Sequence, residues 1–397
     1  MDAAAPAGSA ASQSSDPAPL GTWIERIALT DFRNYAHRAL DLDGRPVVLV
    51  GPNGSGKTNL LEAVSLLAAG QGLRRAPFPE LARQGGDGGW AVAGRLRTSE
   101  GVFEVGTGLQ GSAAAHPRTG RIVRIDGAAQ SGSGALADLV DMVWVIPAMD
   151  GLFTGPAGDR RRFLDRLILA FDPGYRLRAG RYERAMTQRN RLLVDGSRDR
   201  TQFEGLEGIL AETGVAIAAA RIETLALLTA MIGERRDRDP DNPFPWAGLA
   251  IEGPLEAELG VMPALDVEER FLATLARNRE RDRAAGRTLD GPHRSDFLVT
   301  HGPKGIAARL GSTGEQKALL VGIVLAHAEA TGRRRGGAPP LLLLDEITAH
   351  LDERRRAALF GEIIRLRTQA WMTGTDASAF AALGEAAQRI FVTAGPG

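Results

Sequence analysis

The chain has 397 residues, of which 44% are hydrophobic and 24% charged, and its 48 basic and 48 acidic side chains cancel. This composition is typical of a globular protein with about two or three domains and excludes a fibre or a wholly disordered chain. The chain contains no cysteine, which excludes disulfides, thiolate metal sites and cysteine nucleophiles and makes the cytoplasm the expected compartment.

Residues 1–20 are rich in Ala, Ser and Pro, with neither a basic start nor an apolar core. They predict a disordered tail and not a secretion signal. The apolar runs at 318–326 and 341–344 are too short to span a bilayer. We therefore expect no membrane-embedded segment.

A glycine-rich loop stands between strand patterns at 23–29 and 46–50 and a helical pattern that starts at residue 59 and ends at Gly70. It consists of Gly51, Pro52, Asn53, Gly54, Ser55, Gly56, Lys57 and Thr58, and Asn59 follows. The glycines let backbone N–H groups point at a phosphate, Lys57 would reach the β and γ phosphates of ATP, and Thr58 would hold Mg²⁺. The competing interpretation is a plain glycine turn, which the complete pattern disfavours.

The rest of the chain divides into regions with different secondary-structure patterns. Short alternating strands between 90 and 145 predict an antiparallel sheet beside the nucleotide core, and long helical patterns follow at 159–170, 175–193, 203–232 and 267–284. We predict an N-terminal part of an ATPase head at 21–150, an inserted helical lobe at 151–288 and a C-terminal part of the head at 289–397.

An apolar strand pattern, Leu341–Leu344, ends in Asp345 and Glu346, which stand 288 and 289 positions after Lys57. A continuous apolar run is typical of a central strand buried on both faces. Asp345 would hold the metal through water, and Glu346 would polarise the attacking water. With Lys57, these acids form the predicted catalytic set of a P-loop core that contains a large insertion.

Residues 312–316, Ser-Thr-Gly-Glu-Gln, fit an ordinary helix N-cap and also resemble the signature motif of ABC-type ATPases. In that class, the residues matching Ser312, Gly314 and Glu315 face the γ phosphate bound by a second subunit, which implies an ATP-dependent homodimer. Residues 349–352 resemble the D-loop. Asp376 stands where the class carries its switch histidine, and Asp150 lies near the place of the Q-loop glutamine, so both of those roles stay open.

Five segments outside the generic motifs resemble the RecF family of DNA replication and repair proteins. They are Asp-Phe-Arg-Asn-Tyr at 31–35, Gly-Lys-Thr-Asn-Leu-Leu-Glu-Ala at 56–63, Arg-Arg-Arg-Phe-Leu-Asp at 160–165, Gln-Arg-Asn-Arg-Leu-Leu at 188–193 and Asp-Gly-Pro-His-Arg-Ser-Asp at 290–296. The resemblance runs from about residue 22 to 395. It implies an α/β, ABC-ATPase-like (P-loop) head with a flanking antiparallel sheet and an inserted helical lobe.

The same resemblance implies a weak ATPase that dimerises on ATP and binds DNA at single-strand gaps or gap junctions. Such a protein acts with RecO and RecR to load RecA. It also suggests that Arg33 and Asn34 reach the nucleotide, although the two residues could instead shape a turn.

The helical lobe carries a local excess of positive charge. Ten arginines and four acids lie between residues 159 and 191, a net charge of about +6 hidden by the neutral total. Phosphate backbones attract such a patch without regard to sequence, so Arg160, Arg161, Arg162 and Arg189 are candidate DNA-binding residues. The alternative is a solvated helical face or internal pairing.

Other classes of protein share some of these motifs. The ATPase subunit of a membrane transporter would carry a clear Q-loop glutamine and a switch histidine, and a long-armed chromosome-maintenance head would need a far longer insertion. A non-hydrolysing DNA-binding scaffold is disfavoured by Glu346. His293 has no ligand partners at metal spacing, so we expect no metal beyond Mg²⁺.

Overall fold

The computed structural model describes residues 21–111 and 120–393. The predicted disordered tail at 1–20 lies outside these residues. The strands are β1 Trp23–Phe32, β2 Tyr35–Asp41, β3 Val47–Val50, β4 Trp90–Thr98, β5 Gly101–Leu109, β6 Ile122–Ile125, β7 Ala128–Ala129, β8 Met142–Val145, β9 Ala247–Glu252, β10 Asp296–His301, β11 Ile306–Ala307, β12 Leu341–Leu344, β13 Ala370–Gly374 and β14 Gln388–Phe391. The α-helices are α1 Lys57–Ser65, α2 Ala157–Ile168, α3 Tyr175–Val194, α4 Arg200–Arg238, α5 Pro254–Leu259, α6 Ala264–Arg277, α7 Arg279–Ala285, α8 Thr313–Arg334 and α9 Glu353–Leu366.

A five-stranded parallel sheet forms the centre of the head, in the order β14-β3-β13-β12-β8. Strand β12 pairs with β13 on one side and β8 on the other, as predicted for a central strand. Its partner β13 also pairs with β3, where Gly374 lies opposite Val50. The carboxyl ends of β3, β12 and β13 therefore meet at one edge of the sheet, where ligands bind in open α/β folds.

The two faces of this sheet belong to different hydrophobic cores. Leu342 and Leu344 pack into a core shared with α8, α9 and the helices of the lobe. Leu341 and Leu343 pack into a core shared with α1 and the antiparallel sheet. Because side chains alternate across a strand, four consecutive leucines can fill both cores.

A six-stranded antiparallel sheet, β2-β1-β4-β5-β6-β7, flanks the nucleotide core as predicted. Strand β4 alternates buried and exposed residues, so one face of this sheet points inward. Phe32 and Trp90 meet edge to face there, with ring centroids 5.6 Å apart.

The inserted lobe is organised around α4, which has 39 residues. An 18-residue window of α4 has a mean hydropathy of 1.8, so α4 is long and apolar enough to cross a membrane by length and composition alone. The helix packs against α3, α6 and α8, as a core helix does. No other helix in the part of the chain that the structure describes passes this test.

Three local predictions differ from the structure. The helix after the phosphate loop ends at Ser65 and not at Gly70. The helical pattern at 267–284 is two helices that meet at Asn278. Strand β9, inside the predicted helical insertion, pairs with β10 beyond residue 288. The domain boundaries near 150 and 288 stay predictions.

Candidate nucleotide-binding site

The phosphate loop begins directly after β3 and leads into α1, whose N-cap is Gly56 with a φ of 103°. A Cβ at this position would lie 2.5 Å from Tyr35 Oη and 2.6 Å from Asn34 Nδ2. A Cβ at Gly51 would lie 2.1 Å from the carbonyl oxygen of Val392. Both positions therefore need glycine for steric reasons that the sequence pattern alone does not show.

The loop presents unpartnered hydrogen-bond donors. The backbone N–H groups of Gly54, Gly56 and Lys57 have no acceptor among the described residues. The Ser55 hydroxyl is buried and also has no partner there. Ser55 and Lys57 are buried, and buried donors are rarely left unsatisfied. Donors gathered on one loop at a helix N-terminus suit an anion.

Lys57 lies within the same loop and is only 6% exposed. Its ammonium donates to the carbonyl oxygens of Gly51, at 2.7 Å, and Pro52, at 2.8 Å. Burial lowers the pKa of Lys57, and the carboxylates of Glu346 and Asp345 oppose that shift. The lysine is thus held over the loop and electrostatically linked to the acidic pair.

The two halves of the motif meet in space. Thr58 Oγ1 donates to Asp345 Oδ1 at 3.1 Å, although the residues are 287 positions apart. A hydroxyl and a carboxylate at this distance offer oxygen ligands of the kind Mg²⁺ takes, leaving other positions for phosphate and water. The donor set therefore fits the predicted metal, and the assignment of Thr58 and Asp345 as its ligands stays a prediction.

Two residues outside the predicted site, Thr373 and Lys317, hold the acidic pair in place. Thr373, in β13, donates to Asp345 Oδ1 at 2.7 Å and accepts from the backbone N–H of Glu346 at 2.8 Å. Lys317, in α8, donates to the carbonyl oxygen of Glu346 at 3.1 Å and lies 3.7 Å from Asp150. Neither contact leaves a local signal, because the partners lie on separate elements.

Glu346 is exposed and has a φ of 47°, an uncommon backbone conformation for a residue other than glycine. It lines a cavity of about 360 Å³ together with Asn53, Thr348, Ala349, Arg356, Gly374, Thr375, Asp376 and Ala379. Asp376, at the switch position, accepts from the backbone N–H of Ser378 at 2.8 Å and caps the 3₁₀ helix Ala377–Ala386. The cavity therefore brings together Asn53 of the loop, Glu346 of the acidic pair and Asp376.

The signature segment forms a complete capping box at the start of α8. The Ser312 hydroxyl accepts from the N–H of Glu315 at 3.3 Å, and the Glu315 carboxylate accepts from the N–H of Ser312 at 2.9 Å. Lys304 lies 2.5 Å from Glu315 and, with Ser312, lowers the pKa of Glu315 to about 2. A Cβ at Gly314 would lie 3.0 Å from the His350 carbonyl oxygen, so the signature segment adjoins the segment that resembles the D-loop.

Arg33 and Asn34 form the turn between β1 and β2. The Arg33 guanidinium binds both carboxylate oxygens of Glu62, at 2.8 and 3.0 Å. Asn34 accepts from Asn59, directly after Thr58, at 2.7 Å. Arg33 thus has a structural partner in α1, while Asn34 stands beside the loop.

Comparison with known proteins gives close relatives along nearly the whole chain. The chain is 57% identical to the DNA replication and repair protein RecF of Mesorhizobium japonicum, over 95% of this chain and 99% of the relative. It is 53% identical to the protein of the same name from Brucella suis biovar 1, over 94% and 95%. The chain belongs to the RecF family.

Structural comparison agrees with this family at the level of the fold. A solved structure of the recombination mediator protein RecF-ATPrS in the RecFOR pathway covers 91% of this chain and 95% of its own, with a TM-score of 0.78 and 22% identity. An Smc head bound to the winged-helix domain of ScpA gives a TM-score of 0.52 at 16% identity, with 91% of each chain covered. A family profile described as "AAA domain, putative AbiEii toxin, Type IV TA system" matches residues 47–114.

The lobe segments that resemble the RecF family converge in buried polar networks. Arg221, in α4, binds both oxygens of Asp165, at 2.9 and 3.0 Å, and donates to the Pro292 carbonyl oxygen at 2.6 Å. His293 Nδ1 lies 2.7 Å from Tyr182 Oη, and its Nε2 lies 3.1 Å from the Thr288 carbonyl oxygen. Through these hydrogen bonds, α2, α3 and α4 contact the segment 288–293, which leads back into the head.

Arg189 was predicted to bind DNA, and the structure contradicts this. Its side chain is 0% exposed and lies between Glu207 at 3.1 Å and Asp282 at 2.7 Å. It also donates to Thr288 Oγ1 and to the Leu275 carbonyl oxygen, both at 2.9 Å. With all its donors directed inward, Arg189 is part of the core of this RecF-family lobe.

The three consecutive arginines are also engaged. Arg160 binds both oxygens of Asp296, at 2.8 and 2.7 Å, and its side chain is 15% exposed. Arg161 donates to the Ser295 carbonyl oxygen, and Arg162, which is exposed, pairs with Asp159. The alternative of internal pairing therefore describes Arg160, Arg161 and Arg189, and of the four candidate DNA-binding arginines only Arg162 is exposed.

Proposed function

We propose that this RecF-family protein binds ATP with Mg²⁺ in the phosphate loop, dimerises on ATP and hydrolyses it slowly. In this proposal, ATP-dependent dimerisation promotes binding to DNA at single-strand gaps or gap junctions. There the protein helps to load RecA with RecO and RecR. The observation that carries the proposal is the meeting of Lys57 and Thr58 with Asp345 and Glu346, across 287 to 289 positions of chain.

The geometry supports a defined role for each residue of the site. The free N–H groups of the loop and the Lys57 ammonium would bind the phosphates, and Thr58 and Asp345 would hold Mg²⁺, which spreads the charge that develops on the phosphates. Glu346 is exposed at the cavity beside the loop, where it can accept a proton from an attacking water. Thr373 and Lys317 would keep the acidic pair aligned.

The signature segment supports a homodimer. Among the described residues, the hydrogen bonds of Ser312 and Glu315 stay within the segment or go to Lys304, and none reaches the phosphate loop of the same chain. In the role that the ABC-type signature motif implies, Ser312 of a second copy would contact the nucleotide bound by the first. Each of two nucleotides would then be shared between the subunits.

The partners rest on family membership. The named relatives act in DNA replication and repair, and the solved RecF structure is placed in the RecFOR pathway. A transporter subunit is a poor alternative, because the close relatives carry the RecF name over nearly their whole length. A non-hydrolysing scaffold differs from the proposed function in that its wild type would release no phosphate.

The test compares the wild type with Glu346→Gln and with a control, Glu353→Gln, which removes an exposed acid from the start of α9. We expect Glu346→Gln to bind ATP, to lose about 100-fold or more in phosphate release, and to accumulate as a dimer on DNA. The control should match the wild type in all three. If ATP produces no dimer in any of the three proteins, the signature interpretation of Ser312 is wrong. If the wild type releases no phosphate, the chain is a scaffold.

A further inference from the structure

An arginine that already forms an ion pair with a carboxylate attracts a phosphate backbone weakly, so a DNA-binding surface needs arginines without such a partner. Most arginines of the lobe fail this condition, as Arg160, Arg162 and Arg189 show. Four arginines near the junction of the lobe and the head satisfy it, because no carboxylate of the described residues lies within ion-pair distance of them. They are Arg75, Arg121, Arg166 and Arg176, which we call the junction cluster.

Two members of the junction cluster are held in the structure by neutral groups. Arg121, just before β6, is 7% exposed and donates to the carbonyl oxygens of Leu66, of Ala68 at 2.6 Å and of Gly70 at 3.1 Å. Arg166, in α2, lies on the face of Trp144, with the guanidinium carbon 4.4 Å from the ring centroid. Carbonyl groups and a ring face position a guanidinium but leave its full charge in place.

The other two members are exposed. Arg75 follows α1 in the segment 70–75, and Arg176 lies in the first turn of α3. A Cβ at Gly70 would lie 3.8 Å from Arg176 Nη1, so the start of this segment adjoins α3. Arg75 and Arg176 are therefore free to meet a ligand, with the segment 70–75 between them.

The electrostatics show that each buried arginine of the junction cluster is repelled by one of the exposed arginines. Burial and then the repulsion of Arg75 lower the pKa of Arg166 to about 9, and burial and then the repulsion of Arg176 lower the pKa of Arg121 to about 10. All of these values leave the groups charged at neutral pH. Neighbouring positive groups with no carboxylate within ion-pair distance create a local positive potential that attracts an anion.

The junction cluster also has a direct connection to the nucleotide site. Arg74, beside Arg75, donates to Asn59 Oδ1 at 3.1 Å and lies 3.6 Å from Glu62. Asn59 follows Thr58, the predicted metal ligand. A ligand bound at Arg75 would therefore contact the segment that is anchored to the first turn of α1.

We propose that the junction cluster is the surface on which this protein binds the phosphate backbone of DNA. The two exposed arginines contact phosphates, and Arg121 and Arg166 supply a fixed positive field behind them. This inference rests on the proposed function and names a different surface from the one that the arginine count of the lobe indicated. Binding through phosphates alone is independent of base sequence.

The experiment compares the wild type with Arg75→Gln/Arg176→Gln. The control, Arg191→Gln/Arg200→Gln, removes two arginines of the same lobe that are 84% and 82% exposed and pair with acids one helical turn away. Binding of a fluorescent gapped duplex is followed by anisotropy, with ATP and Mg²⁺, over a series of salt concentrations. ATP affinity and unfolding midpoint are measured on the same samples.

We expect the junction variant to lose about tenfold in DNA affinity for each contact removed. The slope of log affinity against log salt should fall by about 2, because each phosphate contact contributes about 0.9. The single variant Arg176→Glu should weaken binding further than Arg176→Gln. ATP affinity and the unfolding midpoint should not change, and the control pair should bind DNA as the wild type does.

Two results would overturn the proposal. Equal slopes for the junction variant and the control would place the DNA surface elsewhere, with the proposed function intact. A parallel loss of ATP affinity would show that these arginines serve the nucleotide. A wild type that binds no DNA at any salt concentration would instead refute the proposed function itself.

Discussion

The phosphate loop and the interior of the helical lobe use their cations in opposite ways. Lys57 donates only to neutral carbonyl groups of its own loop, next to N–H groups that have no acceptor among the described residues. In the lobe, Arg160 and Arg189 already form ion pairs with carboxylates of the same chain. An anion-binding site consists of hydrogen-bond donors and cations that have no acceptor or carboxylate partner within the protein. The number of positive charges in a region therefore does not identify such a site. The two regions can be tested against each other on that basis.

The largest effect is expected when a satisfied cation is removed from the lobe. Arg189→Met should lower the free energy of unfolding by about 3–5 kcal/mol, because Glu207 and Asp282 lose a partner inside the core. Arg191→Met is the matched control, since its side chain is 84% exposed and its pair with Asp195 contributes less than about 1 kcal/mol. Urea unfolding measures both. A loss of DNA affinity without a loss of stability in Arg189→Met would restore Arg189 to the DNA surface.

The opposite result is expected when an unsatisfied cation is removed from the loop. Lys57→Ala should lose about 100-fold in ATP affinity, because a charged donor to phosphate contributes about 1.5–3 kcal/mol per hydrogen bond. Its stability should change little compared with Arg189→Met, since Lys57 forms no ion pair in the described part of the chain. Calorimetric titration with ATP gives the affinity, and Arg200→Ala should bind ATP normally. An unchanged ATP affinity in Lys57→Ala would contradict the phosphate-loop assignment.

The same contrast explains what could be predicted from sequence. The phosphate loop depends on the backbone geometry of consecutive residues, and four adjacent leucines specify a buried strand, so local patterns were sufficient for both. The fate of Arg189 depends on Glu207 and Asp282, 18 and 93 positions away, and Thr373 contacts Asp345 across 28 positions. The end of α1 was missed because Leu66, Leu67 and Ala68 are buried beyond the last helical turn and continue its apolar pattern.

Glu329 allows the stabilising effect of ion pairs in this protein to be tested by changing the pH, because this one buried acid forms ion pairs with four arginines. The carboxylate is 7% exposed and lies 2.6–3.1 Å from Arg235, Arg238, Arg333 and Arg365. Burial alone would raise the pKa of Glu329, but hydrogen bonds from Arg238 and Arg365 hold it well below its usual range. A depressed pKa means that the carboxylate stabilises the fold above the ordinary glutamate pKa.

Glu329→Gln should therefore lose about 2 kcal/mol of stability at neutral pH, a value reduced because three of the arginines are partly exposed. The difference from the wild type should shrink as the pH falls below the ordinary glutamate value toward the depressed pKa of Glu329, where the wild-type carboxyl also becomes protonated. Urea unfolding at a series of pH values gives both numbers. A difference independent of pH would mean that the Glu329→Gln variant is destabilised by altered packing and not by the loss of charge.

The smallest effect on stability, with a clear effect on assembly, is expected at Ser312. Ser312→Ala removes the acceptor for the N–H of Glu315 and should cost about 1 kcal/mol. Ser312→Asp keeps an N-cap acceptor and should retain that stability, but it places a carboxylate where the signature interpretation puts the γ phosphate of a second subunit. If Ser312 serves the nucleotide in a dimer, Ser312→Asp is stable and fails to dimerise with ATP in light-scattering measurements. If Ser312→Asp dimerises as the wild type does, the residue is only a helix cap, and its hydrogen bond to the N–H of Glu315 is its whole role.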